Sequence, residues 1–576
     1  MLRGPRLSQD GGAVDPRSGH RDLLAALRST AQRSPRRGIY VTDEKGHQEF
    51  RTYPQMLEAA LRIGAALENK GLGSHDRILL VLPTSFEFVS AFFGAVSVGA
   101  IPIPIAPPRD VAFDVANRAE GILRLSERLQ TRAALFASSQ TDAARPPQYK
   151  DLRLVLDVAT LVKGVPLGAS PSAGGRTDVA YIQPTSGATG RRRAVELTHR
   201  NILTNVDAVG RRLNVTPEDI GVSWLPLHSI LGLVGVVLFA MYWEIDVVLM
   251  HPERFLRRPE DWLHLFARHS GTLAASPSFG FDYCVRRSQE SNLEGLDLSS
   301  WRVALNGGEP VRRQHVEAFR RRFGPYGFSE GVFCPVYGLT EGTLAVAFGH
   351  PGRPMVFDTV SRAAVEREHV AEPVAASAGG DRTLEFASVG PPLHQIDVMI
   401  IDHRGIEVRD RTIGEIAVRG PNVMRGYFDQ PKKRSNGGTR LSGEWLMTGD
   451  VGYAADGELF VVSRLAASFE MSDGRVVYPH LIEDVIETVD GVRSGSAVVF
   501  GADDGQLLVV AVEIQSGAEE EEVEATIRSR MMRRFKLEPA EIWCLSPQSI
   551  PRSATGKIRR HLVEAFHAQG ILDRKA

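Results

Sequence analysis

The chain has 576 residues, too many for a single hydrophobic core, so at least two domains are expected. Its 43% hydrophobic and 24% charged residues are ordinary for globular proteins and exclude a chain that is disordered or fibrous throughout. The 68 Lys and Arg residues balance 69 Asp and Glu residues. Nucleic acid is therefore not expected as a partner, because phosphate-driven binding normally requires a basic excess.

Cysteine usage indicates the redox compartment. Cys284, Cys334 and Cys544 lie far apart and form no CxxC pair, which predicts neither a disulfide framework nor a zinc site and favours a cytoplasmic location. The N-terminus carries arginines but lacks the apolar run of a signal peptide. We therefore expect residues 1–20 to form a disordered leader outside the fold.

One uncharged stretch, Gly221 to Trp243, has the length of roughly 20 residues that a membrane span requires. Pro226 and His228 interrupt its first half, and Glu244 follows it directly. The pattern predicts a buried helix followed by a strand, and no transmembrane segment.

From Phe50 onwards, helical and extended patterns alternate. Tyr53 to Lys70 predicts a helix that ends at Gly71, and Phe86 to Val98 predicts another. Buried strands are predicted at RILLVL, AALFAS, LRLVLDV and VAYIQ, with an edge or terminal strand at the proline-rich IPIPIAPP. This alternation indicates an α/β fold, with a large N-terminal domain of mostly parallel sheets and helices.

The second half of the chain changes character. In residues 344–392 the apolar residues follow neither a helical nor a strand period for any length, which indicates an insertion or an elaborated loop. IDVMIID, GEIAVRG and GELFVVSR then predict a small antiparallel or distorted barrel-like subdomain. A hairpin on an Asp-Asp-Gly turn and a helix after Ala518 predict a small α+β C-terminal domain. The expected division is an N-terminal domain at 21–463, with the insertion at about 344–392, and a C-terminal domain at 464–576.

The sharpest local motif is YIQPTSGATGRRRAVELTHRN. Its glycines allow backbone N–H groups to approach an anion, its hydroxyl groups add donors, and Arg191 to Arg193 add positive charge, as a phosphate-binding loop requires. It is not a Walker loop, because no Ser or Thr follows a Gly-Lys pair. Taken alone, such a loop is equally compatible with an ordinary turn.

Further motifs follow in a fixed order: NGGEP at 306–310, YGLTE at 337–341, GEIAVRGPNVMRGY, TGD at 448–450, Arg464, and PRSATGKIRR with Lys557. With TSGATG, they resemble the adenylate-forming superfamily of acyl-CoA synthetases, luciferases and peptide-synthetase adenylation domains. WLPLHSILGLVG, HPERFLRRPEDWL and the long gap after YGLTE are more closely similar to fatty acyl-AMP ligases. The similarity extends from about Asp22 to the C-terminal tail.

The resemblance implies that the domain at 21–463 binds AMP and the acyl group and that the domain at 464–576 is mobile. It also implies a site for ATP and Mg²⁺. The implied nucleotide-binding residues are Thr185, Ser186, Gly187, Ala188, Thr189, Gly190, Gly307, Gly308, Glu309, Pro310, Tyr337, Gly338, Leu339, Asp450 and Arg464. The implied catalytic residues are Lys557, Glu341 and Thr340, with Glu341 as the metal ligand. The implied substrate-binding residues are His228, Ser229, Gly232, Ser278 and Phe281. From the residues alone, Asp450 is also compatible with a turn position, Glu341 with a helix N-terminal charge, and His228 with a core histidine.

The implied activity is ATP-dependent conversion of a medium- or long-chain fatty acid to its acyl-adenylate. Transfer to the phosphopantetheine thiol of an acyl carrier protein would follow, in polyketide, lipopeptide or lipid synthesis. A long-chain acyl-CoA ligase is the alternative within enzymes. A degenerate protein that binds fatty acid or acyl-adenylate is the alternative of another class. It is motivated by Ser229 and Ile230 in place of the family His-Asp pair, by Ala467 in place of the hinge Asp, and by Arg193-Ala194 in place of Lys-Gly.

Overall fold

The computed structural model describes residues 1–5, 19–107, 112–137, 152–171, 178–185, 193–375, 380, 382–428, 439–503, 505, 507–552 and 558–571. Its strands are β1 Leu2–Arg3, β2 Gly38–Thr42, β3 Gln48–Thr52, β4 Arg77–Val81, β5 Ile101–Ile105, β6 Ala133–Phe136, β7 Val155–Asp157, β8 Val179–Pro184, β9 Ala194–Thr198, β10 Ile220–Ser223, β11 Asp246–Met250, β12 Leu273–Ser276, β13 Val303–Gly307, β14 Phe333–Tyr337, β15 Ala347–Phe348, β16 Phe357–Ser361, β17 Thr383–Ala387, β18 Asp397–Ile401, β19 Gly414–Arg419, β20 Gly426–Tyr427, β21 Arg440–Ser442, β22 Trp445–Ala455, β23 Glu458–Arg464, β24 Phe469–Glu470, β25 Val476–Val477, β26 Val492–Ala502, β27 Leu507–Ile514 and β28 Glu541–Leu545.

The α-helices of the described residues are α1 Leu23–Arg33, α2 Tyr53–Asn69, α3 Phe86–Ser97, α4 Ala112–Arg128, α5 Val158–Leu161, α6 His199–Leu213, α7 Ile230–Gly232, α8 Phe239–Trp243, α9 Pro252–Arg257, α10 Glu260–His269, α11 Ser278–Arg287, α12 Arg313–Phe323, α13 Pro479–Ile486, α14 Glu520–Phe535 and α15 Arg560–Ala568. A π-helical segment, Leu233–Leu238, joins α7 to α8.

Two sheets of the N-terminal part confirm the predicted parallel architecture. The larger has the strand order β15-β14-β13-β12-β10-β11-β2-β3 and is parallel from β14 to β2, with an antiparallel strand at each edge. The smaller, β5-β4-β6-β7, is parallel throughout. Its edge strand β5 is the proline-containing IPIPI, as predicted, because an edge tolerates the missing N–H groups.

The predicted antiparallel subdomain is a sheet with the order β1-β18-β19-β22-β21, in which β23 also pairs with β22. The first strand corrects the expected leader: Leu2 pairs with Val398 and Arg3 with Asp397, so the first residues belong to the fold. Residues 6–18 lie outside the described residues. The prediction of a disordered leader was wrong for the first residues of the chain. An edge strand of two residues is too short to show the alternation of apolar and polar residues by which strands are predicted.

The segment 344–392 contains more regular structure than its sequence indicates. Strands β16 and β17 form an antiparallel hairpin, and β15 pairs with β14. Val360, Leu384 and Phe386 of the hairpin are buried with Tyr453 and Phe460 of the antiparallel sheet. The expectation of a loop missed these strands, because prolines, glycines and charges surround each short buried run.

The uncharged stretch at 221–243 folds as predicted. It gives strand β10, a loop, the α7–π–α8 helical run and then strand β11. Nearly all side chains from Leu233 to Trp243 are buried in the main core. Among the described residues, no helix combines the length and apolarity needed to cross a bilayer.

The C-terminal part has a hydrophobic core of its own. The predicted hairpin is β26 and β27, with β28 parallel to β27. The sheet packs against α13 and α14 through residues such as Ile486, Val510, Ile527 and Met531. This core is separate from the main core, which agrees with a small α+β unit.

Candidate active site

A cavity of about 950 Å³ lies at the carboxyl ends of the parallel strands in the large sheet. Loops after five of these strands contribute to its wall, through Trp224 after β10, His251 after β11, Pro277 after β12, Gly308 after β13 and Thr340 after β14. Ligands of open α/β sheets bind at this edge. The fold therefore brings separate motifs to one cavity.

Three side chains form one cluster at the polar end of this cavity. The Tyr337 hydroxyl donates to Asp450 Oδ2 at 2.7 Å, and Arg464 Nε lies 3.1 Å from Asp450 Oδ1. Asp450 is buried within β22 and pairs in register with Arg464 of β23. The alternative of a turn position for Asp450 is therefore wrong. Arg464 lines the cavity with a side chain that is 55% exposed.

The electrostatics of this cluster fix its protonation. The Asp450 carboxylate, with a smaller effect from Glu341, raises the pKa of Arg464 above its already high value. Burial, reinforced by Asp450, raises the pKa of Tyr337 well above the usual phenol value. Arg464 therefore stays cationic and Tyr337 stays a neutral donor, which orients the Asp450 carboxylate.

Glu341 lies in the first turn of a 3₁₀ helix, Thr340–Gly342, and both Thr340 and Glu341 line the cavity. Glu341 is therefore a charge near a helix N-terminus, as one interpretation of the sequence had it, and it is also a residue of the cavity wall. The Tyr427 hydroxyl donates to Glu341 Oε1 at 2.8 Å, and Arg193 Nη1 donates to the Tyr427 hydroxyl at 3.1 Å. Burial raises the pKa of Tyr427, so the phenol remains a donor.

Tyr427 is a site residue that sequence reasoning did not single out. It ends the GPNVMRGY run, where it occupies strand β20 beside β9. The only sequence signal was that position at the end of a motif. Its contact with Glu341 joins residues far apart in sequence, so it became visible only in the fold.

The glycines of the predicted nucleotide segments permit close backbone approaches. A Cβ on Gly307 would lie 2.3 Å from the Val336 carbonyl oxygen, and one on Gly338 would lie 1.7 Å from that of Leu344. Gly308 has φ +79°. Gly307, Gly308, Gly338 and Leu339 all line the cavity.

Glu309 and Pro310 lie behind this wall. The Glu309 carboxylate accepts a bond from the Phe279 backbone N–H at 3.3 Å, and the Pro310 carbonyl accepts one from the Ser278 hydroxyl at 3.2 Å. Both residues attach the NGGEP loop to the start of α11. Tyr337 and Asp450 are likewise not among the residues of this wall, but Asp450 adjoins it through its neighbour Gly449 and its contact with Arg464.

His228 and Ser229 line the cavity, whereas Gly232 does not. The Ser229 hydroxyl accepts from the Gly232 N–H at 3.1 Å and donates to the Pro226 carbonyl at 2.7 Å, so it caps α7. A Cβ on Gly232 would lie 2.3 Å from the Pro226 carbonyl oxygen. Ser229 therefore holds the turn that presents His228, and Gly232 allows that turn to close.

Two of the predicted acyl-site residues lie elsewhere. Phe281 is buried among aromatic rings, with centroids 5.4 Å from Phe319 and 4.9 Å from Phe333. Ser278 is buried and donates to Asn306 Oδ1 at 2.9 Å. We expected these two side chains to contact the acyl group, but neither of them lines the cavity. The residue of α11 that lines it is Phe279.

Two predicted loops fall partly or wholly outside the described residues: 186–190 of the TSGATG loop, and Lys557. Thr185 and Arg193, at the two ends of the first loop, line the cavity and are joined by a 2.8 Å bond from Thr185 N to Arg193 O. Arg552 and Arg559, on either side of Lys557, also line it. Arg552 pairs with Ile558 in a β-bridge.

The rest of the cavity is apolar and extends towards the amino ends of the strands. Side chains from several helices and strands line it, including Val209, Leu213, Val222, Phe239, Ile245, Leu273 and Val303. One continuous space therefore joins a charged end to an apolar end, a combination that suits an amphipathic ligand.

Comparison with known proteins agrees with this site. Residues 27–428 match the AMP-binding enzyme family. The chain is 31% identical over 565 residues to a long-chain-fatty-acid–AMP ligase, FadD26 of Mycobacterium marinum, covering 92% of this chain and 94% of that protein. It is 28% identical to the medium-chain-fatty-acid–[acyl-carrier-protein] ligase JamA of Moorena producens, covering 96% of each.

A solved structure from a study of fatty acyl-adenylate ligases of E. coli and L. pneumophila superposes with a TM-score of 0.88. The sequences are 29% identical, and the match covers 96% of this chain and 99% of the other. The family match covers most of the N-terminal part, and the relatives and the solved structure match over nearly the whole chain. The chain therefore belongs to the AMP-binding enzymes, in the group of the fatty acyl-AMP ligases.

Proposed function

We propose that this protein uses ATP to convert a medium- or long-chain fatty acid to its acyl-adenylate, with release of pyrophosphate. The observation that carries the proposal is the single cavity in which Glu341 and Arg464 face the polar end and an apolar wall extends behind them. A nucleotide with a carboxylate fits the first part, and an acyl chain fits the second.

The polar end would bind the nucleotide. Asp450 already accepts bonds from Tyr337 and Arg464, and a carboxylate has further lone pairs for ribose hydroxyl groups. Arg464 offers a permanently charged fork to ribose or phosphate oxygens. Thr185, Gly307, Gly308, Gly338 and Leu339 would form the remaining described wall around the nucleotide.

Glu341 would hold Mg²⁺. A carboxylate combined with phosphate oxygens is the donor set that this ion prefers, and the Tyr427 bond fixes the orientation of the carboxylate. When bound, Mg²⁺ would neutralise charge on the phosphate oxygens. Thr340 stands beside Glu341 on the wall and would contribute a hydroxyl group there.

The reaction would be an in-line displacement at the α-phosphorus. A carboxylate oxygen of the fatty acid forms the new bond to phosphorus, the bond to the bridging oxygen breaks, and pyrophosphate leaves with the electron pair. Lys557 would bridge the carboxylate and the α-phosphate. Arg552 and Arg559, which flank it in the sequence, line the cavity. Fixed positive charge at this position stabilises charge that spreads over the phosphate oxygens.

The acyl-adenylate would then pass to the phosphopantetheine thiol of an acyl carrier protein. The thiol sulfur would attack the acyl carbon, and AMP would leave. The similarity to a ligase named for an acyl-carrier-protein acceptor supports this acceptor. We place the mobile C-terminal unit at 464–576. We place the reaction in the cytoplasm, since Cys284, Cys334 and Cys544 form no disulfide.

The test is pyrophosphate release with ATP, Mg²⁺ and a series of fatty acids, with acyl-AMP isolated directly. Wild type is compared with Lys557→Ala and with the exposed control Lys163→Ala. We expect acyl-AMP from wild type and the control, a rate about 10²-fold to 10³-fold lower in Lys557→Ala, and thioester with a carrier protein but not with coenzyme A.

Rapid thioester formation with coenzyme A would instead identify an acyl-CoA ligase. ATP binding without any acyl-AMP would identify a degenerate binding protein. Either result would replace the proposed function.

A further inference from the structure

Arg312 connects the NGGEP loop to the C-terminal domain. It follows Pro310 by two residues and is the N-cap of α12. Its guanidinium contacts the Asp484 carboxylate through Nη2, and its Nη1 lies 3.5 Å from Glu487 Oε2. Asp484 belongs to α13, and Glu487 directly follows the last residue of that helix. One cation of the N-terminal domain thus faces two carboxylates of the other domain.

The contact is largely shielded from water. The side chains of Arg312, Asp484 and Glu487 are 21%, 23% and 15% exposed. Burial raises the pKa of both carboxylates, and Arg312 opposes that rise in each case. Glu483 adds negative charge beside both of them, and Arg534 of α14 adds positive charge beside Asp484. Desolvated carboxylates depend on such a partner more than exposed ones do.

The helix that Arg312 contacts also contacts Arg560, at the start of α15. Glu483, adjacent to Asp484, accepts a bond from the Val499 N–H at 2.7 Å and lies 2.6 Å from Arg560 Nη2. Arg560 follows Lys557 by three residues. A continuous series of contacts therefore leads from the NGGEP loop through α13 to the chain beside Lys557.

We propose that Arg312 is a positioning residue for adenylation, because it holds the C-terminal domain in the orientation in which Arg552 and Arg559, on either side of Lys557 in the sequence, line the cavity. This inference rests on the proposed function. Arg312 itself does not line the cavity, so it acts through the domain contact. The thioester step has no need of Lys557 at the α-phosphate, so loss of Arg312 affects the first half-reaction selectively.

The test uses Arg312→Met, which keeps the aliphatic length and removes the charge. The matched control is Arg320→Met on the same helix, whose ion pair with Glu330 stays within the N-terminal domain. We expect kcat for acyl-AMP formation to fall by about 10-fold to 10²-fold, since small misplacement of a catalytic group has effects of this size. Transfer from supplied acyl-AMP to a carrier thiol should keep the wild-type rate.

Two further measurements separate positioning from general damage. Arg312→Met combined with Lys557→Ala should form acyl-AMP no more slowly than Lys557→Ala alone. The variant Asp484→Asn with Glu487→Gln removes the opposite charges at similar volume and should reproduce the selective defect. Equal loss of both half-reactions in these variants, or a wild-type rate of adenylation in Arg312→Met, overturns the proposal.

A readout that does not require activity distinguishes this inference from the proposed function. Spin labels on Ser329→Cys and Glu521→Cys, both exposed positions, report the distance between the two domains. The three native cysteines are buried, which favours selective labelling. We expect Arg312→Met to broaden or lengthen this distance and Arg320→Met to leave it unchanged. An unchanged distance in Arg312→Met overturns the inference even if wild type makes acyl-AMP.

Discussion

The two ends of the cavity are built in different ways. At the polar end, Asp450 is bonded to Tyr337 and Arg464, and Glu341 is bonded to Tyr427. At the apolar end, single side chains from many elements form the wall without directional bonds. Most of the polar residues occur in short recognisable motifs, whereas the apolar residues do not.

This difference has a physical origin. Charge stabilisation requires donors and acceptors at fixed distances, so each charged side chain needs its own orienting partner. An apolar wall requires only volume and exclusion of water, which many combinations of side chains provide. We therefore expect substitutions at the polar end to change the rate for all substrates, and substitutions at the apolar end to change the preference among them.

The largest effect is expected for Glu341→Gln. The amide can still accept the bond from Tyr427, but it removes the charge that would hold Mg²⁺. The kcat for pyrophosphate release should fall by about 10²-fold to 10³-fold with every fatty acid, as for loss of other preorganised electrostatic groups. Titration of Mg²⁺ should also shift to higher concentration. Glu330→Gln, an exposed carboxylate, is the control, and an unaltered Mg²⁺ dependence in Glu341→Gln would contradict the metal assignment.

The second prediction compares Phe281 with Phe279. Phe281 is part of the aromatic core, so Phe281→Ala should lower the free energy of unfolding by about 3–5 kcal/mol. Phe279→Ala should cost less stability and should change KM for the fatty acid, because Phe279 lines the cavity. Urea denaturation followed by tryptophan fluorescence, together with acid kinetics, measures both. Equal loss of stability in the two variants would contradict the assignment of Phe281 to the core and of Phe279 to the cavity wall.

The third prediction concerns chain-length preference at the apolar end. A Cβ on Gly235 would lie 3.3 Å from Leu344 Cδ2, and both residues line the cavity. Gly235→Leu should lower kcat/KM for the longest acids by about 10-fold to 10²-fold and leave short acids nearly unchanged, a typical effect of lost pocket volume. Gly235→Ala should give a smaller shift in the same direction. A uniform loss over all chain lengths would contradict a selective role.

The smallest effect is expected for Tyr427→Phe. This change removes the hydroxyl between Arg193 and Glu341 and keeps the ring. A hydrogen bond to a charged group contributes about 1.5–3 kcal/mol, and we expect the lower limit of this range, a fall in rate of roughly 10-fold. Because the pKa of Tyr427 is raised, its phenol stays protonated and the deficit should be the same at pH 7 and pH 9. A deficit that disappears at pH 9 would contradict a neutral donor.

Strands were predicted correctly from the sequence where a short run of residues is compatible with only one local structure. The proline-containing strand at 101–105 was predicted at an edge because proline lacks an N–H, and it lies there. The hairpin at 492–514 followed from its alternation and its turn. The strands at 357–361 and 383–387 were missed, since their burial comes from Tyr453 and Phe460, distant in sequence.

For the site, sequence alone determined the identity and order of the charged motifs, and with them the chemistry that they imply. Asp450, Arg464 and Glu341 could be named before any fold was known, because they lie in motifs that resemble those of the adenylate-forming superfamily in their order along the chain. Only the tertiary structure decided that Tyr427 orients Glu341, that Phe279 rather than Phe281 meets the cavity, and that Arg312 reaches Asp484. These facts depend on side chains from different elements meeting in space, and no local spacing records such a meeting.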